Sequence, residues 1–541
     1  MAKVPTNAVS SPAPRGSPVT GGEPTGHMGP NFLMIYCDEL RADVFGHAGH
    51  PRVRTPRLDE LAESSHVFDS CYVPCPICMP SRTALATGRY PRSNGCLDNA
   101  TPSLESESAR SLYRLMHEGG WRMENVGKYH LGWPLEDSGF VLHEGIHDGF
   151  GPFGPANPAL RRQARYARLD GDLPIIIWGS SPLRPEETNA ALTVDSALRR
   201  LDEVDSRQPF FLRAAINMPH TPYAPPMPYA NWYDPAEERL PASYGDGIST
   251  KPTLVQLFHD SRRYGDLAPD DIRRCRCSYY GLVSYIDHEV GRLLDGLAER
   301  GMRDDTVVVF TSDHGSCLGE HGWIEKWGHL WEETCRVPLM ISGPGVSRGR
   351  SEGLVEQIDL MPTLLELAGQ SPPDEVQGRS LMPMVSGGDG AGRGAVFAET
   401  FVPALMTEPA VSVRTRQWKR TRYPHMADIE HRLPGDHPRR GHPMFDEESL
   451  VEGELYDLAT DPGETRNLLL EQPGHPALSA LDRELDEWQD SCEPAVDWEL
   501  LTPPPGFHWS QQRLMEGATL RNISRTWGDR PTVARRASGP G

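Results

Sequence analysis

The sequence contains no uninterrupted apolar run long enough to cross a bilayer. Its first 30 residues are rich in Pro, Gly, Ser and Thr and lack the apolar core of a signal peptide. We therefore expect residues 1–30 to form a disordered leader, and we expect a cytoplasmic protein that does not bind membranes. The ten cysteines stand at irregular spacings along 541 residues, which indicates reduced thiols rather than a disulfide framework.

Positive charge is also scarce in this sequence. It has 54 Lys and Arg against 75 Asp and Glu, a formal net charge of -21. We expect such a surface to repel nucleic acid, which excludes a nucleic-acid-binding function, and any anionic substrate must be attracted by local cations or by a metal. Glycine (52) and proline (51) are abundant by contrast, which predicts long structured loops of the kind that form the rims of active sites.

Short apolar runs alternate with stretches of helical periodicity. The predicted strands include residues 31–36, 209–216 and 306–311, and the predicted helices are 55–64, 104–117, 186–204 and 269–301. Thr55 is the expected N-cap of the first helix. This alternation predicts an α/β fold with a large doubly wound mixed sheet flanked by helices.

The length of the chain predicts more than one domain. We expect a large domain over residues 31–386 and a smaller α+β domain over residues 395–500, which contains an antiparallel sheet and a helix near 478–488. The proline-rich residues 225–268 are expected to be an irregular insertion. Residues 501–541 are expected to form a tail that is disordered or reaches a neighbouring subunit in a homo-oligomer.

Polar side chains follow four of the predicted strands at the point where each strand ends. They are Asp38 with Glu39, Lys128 with His130, His220, and Asp313 with His314. In open α/β sheets ligands bind outside the carboxyl ends of the strands, so we expect these side chains to converge on one edge. The carboxylates and the imidazole are suitable ligands for a divalent cation.

The segment from Cys78 to Arg89 carries a potential nucleophile. It contains C-x-P-S-R followed by T-G-R, and its helix-forming residues 83–87 place Cys78 at a helix N-terminus. A helix N-terminus favours an anion. Arg82 follows Cys78 by four residues and so lies on the same helical face, whereas Arg89 is expected to brace the helix end.

The Cys78 motif, together with Gly-Lys-x-His-x-Gly at residues 127–132, resembles the signatures of the formylglycine-dependent type I sulfatases of the alkaline-phosphatase superfamily. The resemblance extends from Asn31 to about Asn467 and implies an alkaline-phosphatase-like fold. It implies that a maturation enzyme oxidises Cys78 to formylglycine, whose hydrate attacks the sulfur of a small anionic sulfate ester.

The resemblance also assigns roles to the strand-end residues. Asp38, Asp313, His314 and an oxygen on the converted Cys78 would hold one divalent metal, calcium first and manganese second. Glu39 stands where the family commonly has a second aspartate, and it is a further candidate ligand. The remaining implied catalytic residues bind sulfate, steady the formylglycine or transfer protons: Arg82, Lys128, His130, His220 and Lys326.

Three alternatives stay open at this point. The Asp313-His314 pair and the nearby Lys326 resemble the phosphonate monoester hydrolases and choline sulfatases, so the substrate could be a phosphonate monoester or a phosphodiester. The chain could instead be a non-catalytic binder in which Cys78 stays unmodified. Finally, Cys71, Cys75 and Cys78 have the C-x3-C-x2-C spacing of an Fe–S cluster motif, although three prolines crowd that loop.

Overall fold

The computed structural model describes residues 29–99, 103, 105–145, 165–169, 175–205, 208–388, 390–401, 409–423, 441 and 450–492. Most of the predicted leader and the whole predicted tail lie outside these residues. No helix in the described part of the chain is long and apolar enough to span a membrane. All ten cysteines lie within the described ranges, and each is a buried free thiol.

A large mixed sheet forms the centre of the protein. Its strands are β1 (Asn31–Asp38), β2 (His66–Tyr72), β3 (Arg122–Gly127), β4 (Leu142–Glu144), β7 (Phe210–Pro219), β8 (Thr306–Ser312), β11 (Arg336–Ser342), β12 (Gly349–Ser351) and β13 (Val355–Glu356). The order is β12-β2-β11-β8-β1-β7-β3-β4, and β13 also pairs with β2. Neighbouring strands are parallel except β11, which is antiparallel to both β8 and β2.

Smaller sheets and the helices complete the fold. The remaining strands are β5 (Arg165–Leu169), β6 (Ile175–Ser180), β9 (Cys317–Leu318), β10 (Ile324–Glu325), β14 (Ala395–Thr400), β15 (Ala410–Thr415), β16 (Trp418–Arg422) and β17 (Gly453–Asp457). The α-helices are α1 (Pro56–Ser64), α2 (Cys78–Thr87), α3 (Pro91–Asn94), α4 (Glu105–Ala109), α5 (Leu112–Glu118), α6 (Asn189–Asp202), α7 (Thr253–Ser261), α8 (Pro269–Glu299), α9 (Glu332–Cys335), α10 (Leu360–Leu367), α11 (Met382–Val385), α12 (Leu468–Glu471) and α13 (Leu478–Ser491).

Helices cover both faces of the large sheet, because its central strands are apolar on both sides. Along β1, Leu33 and Ile35 point into a core shared with α1, α6 and α8. Phe32 and Met34 point the other way, into a core shared with α2, α5 and α10. The doubly wound mixed sheet predicted from the sequence is therefore confirmed, and the 3.6-residue period predicted α8 almost to its ends.

Thr55 stands at the predicted N-cap position of α1, but its side chain does not cap the helix. The Thr55 side chain makes no capping hydrogen bond, because its hydroxyl accepts from the Gly46 N–H at 2.9 Å. The free N–H of Leu58 instead donates to Asp287 Oδ1 on α8, at 2.8 Å. Burial raises the pKa of Asp287 to about 7, although its hydrogen bonds from Leu58 and Arg57 oppose the shift. A tertiary partner thus replaces the local cap.

Two other element predictions also need correction. The helix expected over 104–117 is interrupted at Arg110 and Ser111, where the Ser111 hydroxyl caps α5 by accepting from the Arg114 N–H at 3.3 Å. The insertion at 225–268 is not wholly irregular, since it contains 3₁₀ turns and the nine-residue helix α7.

The predicted antiparallel C-terminal sheet is confirmed. Strands β14, β15, β16 and β17 pair in chain order, and every pair is antiparallel. Helix α13 packs on this sheet, with the Trp488 ring stacked on Phe397 at a centroid distance of 5.0 Å. The exact division of the chain into domains stays a prediction.

Candidate active site

The polar strand ends meet the N-terminus of α2. Strands β8, β1, β7 and β3 are parallel neighbours, so their carboxyl ends open on the same edge of the sheet. Cys78 is the first residue of α2, and its Sγ lies 3.3 Å from His314 Nε2 and 3.8 Å from Asp38 Oδ1. Four buried residues, Asp38, Cys78, Asp313 and His314, each offer one potential metal-ligand atom. These four atoms lie within 4.8 Å of one another.

The orientation of His314 is fixed by the backbone. Its Nδ1 lies 2.8 Å from the Gly315 carbonyl oxygen, so Nδ1–H donates there and Nε2 is the nitrogen that faces Cys78. Residue 315 must be glycine, since a Cβ atom would lie 2.0 Å from the Glu333 carbonyl oxygen. The backbone at Gly315, next to the His314 imidazole, therefore packs directly against the backbone of Glu333.

Arg82 holds the two buried aspartates together. Its Nε donates to Asp313 Oδ2 at 2.7 Å, and its Nη2 donates to Asp38 Oδ2 at 3.4 Å. The guanidinium lies over the Tyr36 ring, 4.7 Å from the centroid. Burial lowers the pKa of Arg82, but Asp313 and Asp38 outweigh burial and raise it. Arg82 therefore acts on the carboxylates of Asp38 and Asp313.

Lysine side chains also place positive charge near Asp38 and Cys78. The Lys128 ammonium donates to Asp38 Oδ2. Burial raises the pKa of the Cys78 thiol, but Lys128, Lys326 and His314 outweigh it and hold that pKa well below its ordinary value. The position of Sγ is therefore one at which a negative charge is stabilised.

Glu39 faces a different set of partners. Its backbone is left-handed, with φ of 69°, and its N–H donates to Asp313 Oδ1 at 3.0 Å. Its carboxylate accepts hydrogen bonds from Tyr223 (2.5 Å), Ser316 (2.8 Å) and Lys326 (2.9 Å). Lys326 is 2% exposed, which excludes a solvated surface lysine.

The two histidines that were predicted to transfer protons have opposite pKa shifts. Burial and Lys326 lower the pKa of His220, but Asp38 and Glu39 outweigh them and raise it to about 9. Burial lowers the pKa of His130, although its contact with Cys78 opposes the shift. At neutral pH His220 is therefore a cation that can donate a proton, and His130 is neutral and can accept one.

Three residues that position the site were missed in the sequence. Tyr223 and Ser316 hold Glu39, and both stand two or three residues after a predicted site residue, which was a usable signal. Gln357 accepts hydrogen bonds from Ser81 (2.9 Å) and from Tyr36 (3.3 Å). No local pattern marks Gln357, because its importance arises only from the tertiary fold.

The two glycines of the Gly-Lys-x-His-x-Gly segment lie close to neighbouring backbone. A Cβ atom at Gly127 would lie 2.2 Å from the Ala215 carbonyl oxygen, and one at Gly132 would lie 3.0 Å from the Ser103 nitrogen. Both glycines therefore allow close packing of backbone on backbone rather than the approach of a ligand.

The Fe–S alternative receives no support. Among the described residues, the groups of potential metal ligands include Cys78 but neither Cys71 nor Cys75. Cys71 lies within β2, where burial raises its thiol pKa well above the ordinary value.

Comparison with known proteins identifies the family. The sequence matches the sulfatase family over residues 30–370. The chain belongs to the sulfatase family. This sulfatase is therefore a sulfuric ester hydrolase of the alkaline-phosphatase superfamily. A second match, over residues 319–433, is to the C-terminal part of N-sulphoglucosamine sulphohydrolase.

Individual relatives of this sulfatase have several activities. It is 30% identical to an arylsulfatase of Clostridium perfringens over 66% of this chain and 79% of that protein. It is 30% identical to a choline-sulfatase of Rhizobium meliloti over 72% of this chain and 77% of that protein. A solved phosphonate monoester hydrolase from Silicibacter pomeroyi has the same fold, with a TM-score of 0.69 and 23% identity over 86% of this chain and 96% of that one.

Proposed function

We propose that this sulfatase hydrolyses a sulfate monoester to an alcohol and inorganic sulfate, with Cys78 converted to formylglycine by a maturation enzyme. The observation that carries the proposal is the position of Cys78. Its Sγ, which stands where the formylglycine oxygen would be, lies at a helix N-terminus beside Asp38 and His314. The field of Lys128 and Lys326 favours an oxyanion there.

The residues around Cys78 fit a divalent metal. Asp38, Asp313 and His314 supply two carboxylates and one imidazole nitrogen, and the converted Cys78 would add an oxygen. When bound, the cation would polarise the sulfate oxygens and favour the ionised form of the nucleophilic hydroxyl. The nitrogen ligand is an argument for manganese over calcium, since calcium prefers oxygen ligands throughout.

The hydrate of formylglycine would supply one hydroxyl as nucleophile and a second hydroxyl whose deprotonation expels sulfate. The other residues bind charge or move protons. Lys128 and Lys326 neutralise the negative oxygens of the ester. His220, which is protonated at neutral pH, donates to the departing alcohol oxygen. His130, which is neutral, removes the proton from the second hydroxyl.

Glu39 is assigned a positioning role. Its carboxylate already accepts hydrogen bonds from Tyr223, Ser316 and Lys326, and His220 Nε2 lies 3.7 Å away. These contacts orient the ammonium and the imidazole toward the substrate. They also use most of the lone pairs that Glu39 would offer to a metal.

Mass spectrometry of the tryptic peptide that contains Cys78 tests the proposal. In protein from the native host, or co-expressed with a formylglycine-generating enzyme, we expect the mass of the aldehyde or its hydrate. Cys78→Ala should lose on the order of 10⁴-fold or more in kcat and keep its fold, whereas Cys75→Ser, a matched change in the same loop, should retain turnover. A native peptide with an intact thiol would favour the non-catalytic binder.

A second candidate substrate is a phosphonate monoester or a phosphodiester. The Asp313-His314 pair and the buried ion pair of Lys326 with Glu39 favour it, because the same cations stabilise phosphoryl transfer. We expect kcat/KM for an aryl sulfate to exceed that for the matching aryl phosphonate, measured on one preparation of known formylglycine content. The reverse ranking would make phosphonate the primary substrate class.

A further inference from the structure

The interior strand β7 carries a charged side chain that forms no ion pair with any described residue. Arg213 is fully buried, and no carboxylate in the described part of the chain forms an ion pair with it. Its Nη2 donates to the Tyr129 carbonyl oxygen at 3.1 Å, but Nε and Nη1 are buried and have no acceptor among the residues that the structure describes. A guanidinium keeps its charge in proteins, and an unpaired buried charge is strongly destabilising.

The aromatic neighbours of Arg213 compensate this charge only in part. The guanidinium lies 5.3 Å from the ring centroid of Tyr36 and 5.6 Å from that of Tyr113. Such cation–π contacts offset only part of the cost of burying an ion. Arg82 lies on the same Tyr36 ring but is neutralised by two carboxylates. Burial lowers the pKa of Arg213, which agrees with an uncompensated cation.

The neighbouring strand offers a further hydrogen-bonding group. Asn125 on β3 is the cross-strand partner of Arg213, and its side chain is buried. Its Nδ2 lies 2.9 Å from His143 Nδ1, while its Oδ1 has no hydrogen-bond partner in the described ranges. If the amide is turned by 180°, His143 Nδ1–H donates to the amide oxygen and Nδ2 replaces the unpartnered atom. All these groups are then satisfied if an acceptor lies beside Arg213.

We propose that Arg213 and Asn125 bind a small inorganic anion of the chloride type inside the large sheet. The site offers N–H donors from two neighbouring strands and one positive charge that no described carboxylate neutralises. Because both side chains are fully buried, a monoatomic anion fits better than sulfate or phosphate. The anion would also fix the guanidinium that holds the Tyr129 carbonyl, between Lys128 and His130. This inference does not depend on the identity of the ester substrate.

Thermal unfolding of the full-length protein tests the site. Sodium chloride is titrated against sodium gluconate at constant ionic strength, because gluconate is too large for an enclosed site. We expect Tm to rise saturably with chloride in the unmodified protein, as for any ligand that binds only the folded state. Arg213→Met, which keeps the length of the side chain but removes its charge, should lose this response.

Asn125→Asp supplies the matched positive control, because it places an internal carboxylate beside Arg213. Its Tm in gluconate should rise toward or above that of the unmodified protein in saturating chloride, and chloride should no longer affect it. Bromide-soaked crystals of the unmodified protein give a direct measurement that needs no variant to fold. An anomalous peak against Nε and Nη1 of Arg213 is expected. A water molecule alone at that position, or an equal chloride response in Arg213→Met, would overturn the proposal.

Discussion

The two carboxylates at the end of β1 are neighbours in the chain but belong to different regions of the site. Asp38 lies beside Cys78 and contacts Arg82 and Lys128. Glu39 adopts a left-handed backbone, and its carboxylate contacts Lys326 and the hydroxyls of Tyr223 and Ser316.

In the proposed mechanism, one strand end serves two chemical tasks. The Asp38 region would hold the metal and gather cations around the nucleophile, whereas the Glu39 region would orient the groups that face the departing oxygen. His220 lies between them, since Asp38 and Glu39 both raise its pKa. The left-handed backbone of Glu39 accompanies a set of hydrogen-bond partners different from those of Asp38, although one atom each of Asp38, Glu39 and His220 lie within 4.8 Å of one another. Such a conformation costs about 1–3 kcal/mol for a residue other than glycine.

Asp38→Asn should give the largest loss of activity of the three substitutions that test this comparison. It removes a ligand charge and leaves Lys128 and part of Arg82 without a counter-ion. We expect kcat to fall by about 10³-fold or more, together with a loss of bound metal. Elemental analysis of the purified protein and steady-state kinetics measure both effects. Full metal content with normal turnover would remove Asp38 from the ligand set.

His220→Asn should have the next largest effect, because it removes the proposed acid. We expect a loss of about 10²-fold for an alkyl sulfate and a smaller loss for an aryl sulfate with an acidic leaving group. His220 must be protonated to donate, so the activity of the unmodified enzyme should fall as pH rises through about 9. The variant should lack this alkaline limb in kcat/KM. If the variant keeps the fall in kcat/KM at alkaline pH, that fall arises from the titration of a group other than His220.

Glu39→Gln should have the smallest of the three effects. The amide keeps the size of the side chain and one acceptor oxygen, but it loses the charge that pairs with Lys326. We expect about a 10-fold fall in kcat with metal content unchanged. If this variant instead loses its metal as Asp38→Asn does, Glu39 is a ligand and the two regions are one.

Sequence patterns predicted the parts of the structure that depend on the spacing of residues close together in the chain. The apolar runs located the central strands, and the polar residues after them identified the positions that meet at Cys78. The capping of α1 could not be predicted, since its N–H groups are satisfied by Asp287, which lies 229 residues away from Leu58. The role of Gln357 could not be predicted either, because its partners Ser81 and Tyr36 are distant from it in the sequence. The close contact of Gly127 with the Ala215 carbonyl oxygen could not be predicted either, since it depends on the pairing of β3 with β7.

The segment after the nucleophile helix is attached to the C-terminal sheet. Arg92 of α3 pairs with Glu399 of β14 at 2.9 Å and lies over the Trp488 ring, 4.6 Å from its centroid. Tyr90 contacts the same ring. For protein engineering, a shortened enzyme that ends before β14 would lose this support and leave a buried arginine without its carboxylate. A minimal active fragment must therefore retain the C-terminal sheet together with α13, even though none of their described side chains belongs to the cluster of Asp38, Cys78, Asp313 and His314.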